Sequence, residues 1–333
     1  LYKENLMLIL TAEDVRRAVP MLDAIDAVAA AFTQLSTNQA TVPLRVAIEQ
    51  PQHDAHTFVM PAGLSQSAGL GLKVVSVFPH NAARHQLPSI HALVILLDAA
   101  TGRAAAMMDG TYLTALRTGA ASGAATRALA RPDARSLAIF GAGAQAPYQV
   151  LAVCAVRSIE RILIVNRGRE RAKALITQLH ALGLQADIQI APAADALAQA
   201  DVVCCATASP TPVFEDAQVR PGTHINGVGS FTPRMAEVPA ATIARSRVVV
   251  DQRAAAWAEA GDLIQARDAG VLEDTRVIEL GAVLAGHTPG RLNSDEITFF
   301  KSVGNAVQDV AVAQAAVQEA ARLGLGVEVE LSG

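Results

Sequence analysis

The chain has little of what several protein classes require. Only three cysteines (Cys154, Cys204, Cys205) stand in 333 residues. The count is odd and no spacing suits a metal, which excludes a disulfide framework and a zinc module. Charged residues make up 17% and the formal net charge is −4, which leaves no electrostatic footprint for nucleic acid or an anionic membrane. No apolar run approaches a membrane span, and no secretory signal stands out. Cys204 and Cys205 end an apolar strand pattern and read as buried, reduced packing residues, so a cytoplasmic setting is expected. Met7, just before the first ordered pattern, reads as the native start, with residues 1–6 an added remnant.

What is there is 51% hydrophobic, rich in alanine, and long enough for two domains with a sizeable core. The stretch from Ser136 to Arg167 organises the rest: SLAIF, then GAGAQA, then a helical run, then RILIVNR. A strand enters a glycine turn, the turn opens a helix, and a second strand follows, which is a βαβ unit carrying G-x-G-x-x-A. Gly141 suits the tight turn, Gly143 lets a pyrophosphate approach the backbone, and Ala146 keeps helix close to strand. Ala144 and Gln145 complete the turn at the helix N-terminus, whose N–H groups and partial positive charge favour phosphate. An NAD-preferring site places Asp or Glu at the end of the second strand. Here Asn166 and Arg167 stand there, so NADP(H) is the expected cofactor, with NAD(H) also admissible.

Ahead of this unit the chain alternates differently. Thr11 and Asp14 form a capping box, and Met21, Ile25, Val28, Ala29 and Phe32 follow a helical period. Strand patterns run from Val42 to Met60, over 70–78 and over 90–97, the last joined by a turn to 103–108. A small-residue helix covers 111–130. After the βαβ unit, strands are expected at 186–190, DVVCCAT, HINGVGS and RVVVD, with helices over 169–182 and 193–200, a single helical stretch over 257–269 and a loop over 283–286. Thr207 and Ser209 follow DVVCCAT, where a doubly wound sheet binds its ligand. A long C-terminal helix follows Gly304 and, since the alternation has stopped, should pack back on the N-terminal part.

Six blocks of this chain resemble the ornithine cyclodeaminase/mu-crystallin family: GLKVVSVFP (71–79), LPSIHALVILLDAATG (87–102), LTALRTGAASGAAT (113–126), GAGAQA (141–146), HINGVGS (224–230) and KSVGNAVQD (301–309). The resemblance implies an α/β chain, with a Rossmann NAD(P)-binding domain over 121–304. An α+β domain for substrate binding and dimerisation would come from both chain ends, 1–120 with 305–333. It also implies a homodimer and hydride transfer on amino, imino or oxo acids. Arg45, Lys73 and Arg117 match the residues that hold the substrate carboxylate, where a guanidinium fork and a second cation form a clamp. Ser89 falls where the cyclodeaminase pattern has Thr, and Lys73 is also placed to serve an imine nitrogen. Asn226 is expected near the nicotinamide, and Val303 with Ser302 and Gly304 over its carboxamide.

One departure bears on the chemistry. Cyclodeaminases and related alanine dehydrogenases carry Asp two residues after the glycine of N-x-x-G; here that position is Phe231. The expected reaction is therefore NADPH-dependent reduction of a small cyclic imino acid, 1-pyrroline-2-carboxylate or 1-piperideine-2-carboxylate. Amino-acid deamination, by an ornithine cyclodeaminase or alanine dehydrogenase route, is one alternative. A non-catalytic protein binding NADPH and a small ligand, like mu-crystallin, is another. His91 and His224 read as satisfied strand histidines, and Glu237, Glu259 and Asp262 as surface or capping groups.

Overall fold

A computed structural model describes residues 6–331. The chain forms two compact units, one taking the chain up to Arg117 and again from Asn305, the other Thr118–Gly304.

The first unit opens with strand β1 (Leu6–Leu10), helix α1 (Ala12–Ala18) and helix α2 (Met21–Ser36). The capping box forms: Thr11 Oγ1 accepts from Asp14 N at 3.2 Å, and Asp14 Oδ2 accepts from Thr11 N at 2.9 Å. The strands β2 (Ala40–Thr41), β3 (Val46–Gln50), β4 (Ala55–Leu64) and β5 (Gly69–Val77) follow, then the short helix α3 (Asn81–His85). Strands β6 (Ile90–Asp98) and β7 (Ala104–Asp109) lead into α4 (Gly110–Leu129), within which the chain passes from one unit to the other. Expected to stop before Pro61, β4 in fact runs on to Leu64. On one edge β3 pairs only as far as Val59 and β2 only from Gly63, so the missing N–H of Pro61 falls in a gap between partners.

The second unit is a doubly wound parallel sheet. Its elements in order are β8 (Ser136–Phe140), α5 (Ala146–Val156), β9 (Arg161–Val165), α6 (Arg169–Ala181), β10 (Asp187–Ile190), α7 (Ala193–Leu197) and β11 (Val202–Cys205). Then come β12 (His224–Gly227), α8 (Ala240–Ala244), β13 (Ser246–Val250), α9 (Arg253–Glu259), α10 (Gly261–Asp268), β14 (Val277–Glu279), α11 (Leu280–Leu284) and β15 (Ile297–Lys301). The strand order is β10-β9-β8-β11-β12-β15-β13-β14. The winding reverses between β8 and β11, which opens the ligand crevice at their C-terminal ends. The central strands β11, β12 and β15 are buried along their whole length because helices cover both faces. Burial pushes the Cys204 thiol up to about 12, so it is an inert packing group.

Two expectations change here. The single helix over 257–269 is two helices, α9 and α10, meeting at Ala260. Gly261 there lies so close to the 232–235 loop that a Cβ would come 2.0 Å from the Met235 carbonyl. The loop expected over 283–286 is partly helical, since α11 runs to Leu284.

The chain returns to the first unit with α12 (Ala306–Leu323) and β16 (Val327–Glu330), which pairs with β1. Asn305 caps α12 by accepting from Val307 N at 3.0 Å. As expected, this helix packs back on the N-terminal part, against α2 and one face of β4, β5 and β6. The sheet it covers runs β16-β1-β7-β6-β5-β4-β2, with β3 also on β4.

Candidate active site

Lys73 belongs to a row of four residues directly paired across the sheet: Met60, Lys73, Val94 and Met108. All four are buried, and Lys73 is 1% exposed. An ammonium in such a row needs a counter-charge. It finds one on the covering helix: Lys73 Nζ lies 2.8 Å from Asp309 Oδ2 and 3.0 Å from Oδ1. Arg117, on α4, brings Nε to 3.0 Å from Asp309 Oδ1, and its Nη1 donates to Gln308 Oε1 at 2.6 Å. Gln308 Nε2 is buried with no hydrogen-bond partner among the described residues. Burial first, then the Arg117 charge, hold the Lys73 ammonium down to about 8, against the raising effect of Asp309.

Of the four residues expected around the substrate, the structure thus joins Lys73 and Arg117 through a carboxylate the sequence reading did not single out. Asp309 had a signal: Gln308 and Asp309 interrupt the apolar stripe of α12 yet are fully buried. Arg45 stands just before β3 rather than within a strand, with its guanidinium 4.7 Å from the Phe58 ring centre, and its charge is felt at Lys73. Ser89 sits half-buried before β6, where its carbonyl accepts from Phe78 N at 2.8 Å. No hydrogen bond joins it to the Lys73–Asp309–Arg117 cluster.

In the second unit the glycine turn has the shape its pattern implies. Gly141 has φ +101°, and a Cβ there would come 2.6 Å from the Ala206 carbonyl, so glycine is required. Gly143 is exposed and a Cβ would meet nothing within 4 Å, leaving space over the backbone before α5. Ala144 is exposed beside it, Ala146 is fully buried, and Gln145 Oε1 is buried with no hydrogen-bond partner among the described residues. Asn166 braces the turn: its Oδ1 accepts from Ala142 N at 3.1 Å and its Nδ2 donates to Gly168 O at 2.7 Å. Arg167 is exposed at the strand end, with no carboxylate next to it before Glu170. An open backbone cradle at the first turn of a helix fits a dinucleotide pyrophosphate.

Several side chains expected at the cofactor are engaged elsewhere. Asn226 is not beside an open face: it is fully buried, its Oδ1 3.1 Å from His224 Nε2 and its Nδ2 donating to Thr126 Oγ1 at 3.0 Å. His224 is satisfied as read, bonded also to Thr298, and burial above all lowers it to about 3, so it is neutral. His91 is exposed on β6 instead. Thr207 gives both its N–H and its hydroxyl to Glu237, while Ser209 Oγ donates to Thr211 O at 2.6 Å. Val303 is nearly buried and its N–H donates to Asp251 Oδ2 at 3.0 Å, as Gly304 N–H does at 2.9 Å.

Glu237 and Asp262 correct the reading as surface groups. Both are buried, at 0% and 2% exposed, where their carboxylates collect loop N–H groups and face Lys301. No periodicity marks them, because they sit in loops or at a helix start.

The ornithine cyclodeaminase/mu-crystallin family model matches residues 5–323. A Delta(1)-pyrroline-2-carboxylate reductase of Bacillus cereus is 37% identical over 326 residues, covering 97% of this chain and 100% of the relative. The solved Delta(1)-pyrroline-2-carboxylate reductase of Thermococcus litoralis, in complex with NADH and L-proline, superposes with a TM-score of 0.93 at 38% identity, over 97% of this chain and 100% of that one. An archaeal alanine dehydrogenase dimer with bound NAD gives 0.91 at 34% identity, over 98% and 100%.

Proposed function

This chain belongs to the ornithine cyclodeaminase/mu-crystallin family, and from that premise we propose that it reduces a small cyclic imino acid, 1-pyrroline-2-carboxylate or 1-piperideine-2-carboxylate, with NADPH. It is an oxidoreductase acting on carbon–nitrogen bonds with a nicotinamide dinucleotide. The observation that carries the substrate class is the buried cluster of Lys73, Arg117 and Asp309. Two cations against one carboxylate leave one positive charge uncompensated, which suits a single substrate carboxylate. Arg117 offers it a planar fork, and the unpaired Gln308 Nε2 offers a further donor. Lys73, held to about 8, carries its proton on Nζ at neutral pH and can yield it to a nitrogen.

Gly141, Gly143, Ala144 and Gln145 would hold the cofactor's diphosphate, with Asn166 shaping the turn. When bound, the reduced nicotinamide supplies a hydride to the C=N carbon. Arg167, with no carboxylate beside it at the strand end, supports NADPH over NADH. Thr207, Ser209 and Val303 contribute through the loops they order. Phe231, 38% exposed, offers no carboxylate to a substrate amine, which supports imine reduction over deamination.

A homodimer is part of this reading. On the sheet face opposite α12, Val46, Val59, Val74 and Leu93 form a directly paired apolar row across four strands. Val46 is 58% and Leu93 47% exposed, as a face awaiting a second copy would be.

The test follows loss of the reduced cofactor's near-ultraviolet absorbance with each cyclic imino acid. Turnover with NADPH is expected, and Lys73→Met and Arg117→Met should each lose about ten- to a hundredfold in kcat/KM while cofactor affinity holds. Ammonia release from alanine or ornithine, without imine reduction, would replace this reading by deamination. Tight NADPH binding with no turnover would replace it by ligand binding alone.

A further inference from the structure

Behind the cofactor cradle lies a set of buried charged groups that the proposed reaction does not use. Glu237, Asp262, Lys301 and Ser230 are each 0–2% exposed. In a doubly wound sheet the loops after the strands meet the ligand. Here the loop after β11 carries Thr207, and the loop after β12 carries Gly229 and Ser230. Glu237 holds both. Its Oε1 accepts from Thr207 N at 2.6 Å and Thr207 Oγ1 at 2.8 Å. Its Oε2 accepts from Gly229 N at 2.7 Å and Ser230 N at 3.1 Å. The two loops touch so closely that a Cβ on Gly229 would come 2.0 Å from the Thr207 carbonyl.

Glu237 is itself held. Asp262, on α10, accepts from Glu237 N at 2.6 Å and Val238 N at 3.0 Å through Oδ1. Its Oδ2 takes the Ser230 hydroxyl and lies 3.1 Å from Lys301 Nζ. Lys301, the last residue of β15, also donates to Ser230 Oγ at 2.6 Å. The network therefore joins the C-terminal ends of three neighbouring strands, β11, β12 and β15. Stability alone is a poor reason for it, since a buried ion pair is often matched by apolar residues of similar volume. Its other end explains it better. Thr207, held by Glu237, and Ala206 before it are the residues a Cβ on Gly141 would strike, so the same loop forms one wall of the crevice against the glycine turn.

We infer that Glu237 is a positioning residue for the dinucleotide: through Thr207, Gly229 and Ser230 it sets the two loops that border the cofactor, and Asp262 and Lys301 set Glu237. The inference rests on the reading of this unit as a cofactor cradle. Loops held in the bound shape beforehand remove an ordering cost from binding.

Glu237→Gln keeps the volume but turns one acceptor oxygen into a donor, which frees one loop. Titrating NADPH into the folded variant by its fluorescence should give a Kd raised about tenfold, with the KM of the imino acid at saturating cofactor changed less than about twofold. Lys301→Met should weaken NADPH in the same direction and Lys301→Arg restore most of it, a rescue that loss of packing would not predict. If Glu237→Gln does not fold, Ser230→Ala, which cuts the link to Asp262 and Lys301, takes its place. A folded Glu237→Gln, or Ser230→Ala together with Lys301→Met, binding NADPH within about twofold of wild type would overturn the inference. The titration needs no turnover, so a wild type that binds NADPH without reducing imino acids would sink the proposed reaction and leave this inference standing.

Discussion

Replacing Asp309 by Asn tests the proposed substrate cluster at its centre. The carboxylate is fully buried, 2.8 Å from Lys73 Nζ and 3.0 Å from Arg117 Nε. With an effective dielectric of about 20, unit charges at that range interact by about 6 kcal/mol, which is a ceiling. Opposite charges at contact usually move a titration by about one to three pH units. Lys73 sits at about 8 with Asp309 supporting its charged form. In Asp309→Asn the ammonium should therefore give up its proton at about pH 5–7. The protonated lysine is the form that binds a carboxylate and can protonate a nitrogen, so kcat/KM for reduction should fall above about pH 8 in the wild type and above about pH 5–7 in the variant. At pH 7.5 that is a loss of about threefold for the smallest of these shifts and about two-hundredfold for the largest, partly recovered on acidification. The imine's own titration is common to both proteins and cancels in the comparison. Stability supplies a second check with a definite sign. Lys73 is lowered from 10.5 to about 8 in the folded chain, so between those values the unfolded chain binds more protons and stability rises with pH. The rise amounts to about 3 kcal/mol and should be missing in Lys73→Met. A folded Asp309→Asn whose pH limb stays at about 8 would refute the reasoning, because the titrating group could then not be Lys73.

Two further outcomes follow from other parts of the molecule. Arg167→Glu places a carboxylate at the exposed end of β9, so NADPH affinity should fall by about one to two decades (about 1.5–3 kcal/mol) while NADH affinity holds; equal losses for both would count against the 2′-phosphate contact. Leu93→Asp puts a charge in the apolar row of the open sheet face and should weaken self-association by about 2 kcal/mol or more, seen by light scattering as a shift from dimer to monomer; an unchanged dimer would move the interface elsewhere.

The sequence made the glycine turn legible because its requirements are local: Gly141 needs φ +101°, and Gly143 needs open space over one peptide. Strands β8, β9, β11, β12 and β13 of the parallel sheet were legible as well, as short runs that the fold buries, whereas β14 and β15 were not singled out. Pairs that form only through tertiary contact were not. Asp309 meets Lys73 across 236 positions of chain, and nothing near either residue names its partner. Glu237 lies in loop-like sequence and Asp262 in a stretch expected as helix, both places where a carboxylate is ordinarily solvated, and only the folding of three strand ends toward one point buries them. Asn226, which the resemblance placed near the nicotinamide, has its amide bonded to His224 and Thr126, partners that its own stretch of sequence does not name. Pro61 misled as a strand stop because the gap between β2 and β3 cannot be read from β4 alone.

The charge balance of the cluster links binding to protonation. Lys73 and Arg117 bring two positive charges to one negative Asp309 in a buried site, and an uncompensated buried charge is costly. Burial first, and then the Arg117 charge, outweigh Asp309, so Lys73 is lowered even with a carboxylate 2.8 Å away. A monoanionic ligand would bring the cluster to neutrality and, as a second negative neighbour, would strengthen the hold of Lys73 on its proton. An uncharged ligand would do neither, so on the proposed function the cluster would select for a carboxylate. A carboxylate that only braced α12 against β5 would have no such coupling. Its replacement would lower stability and leave the pH profile in place, whereas an Asp309 that sets the charge of the site must move the profile even where the fold survives.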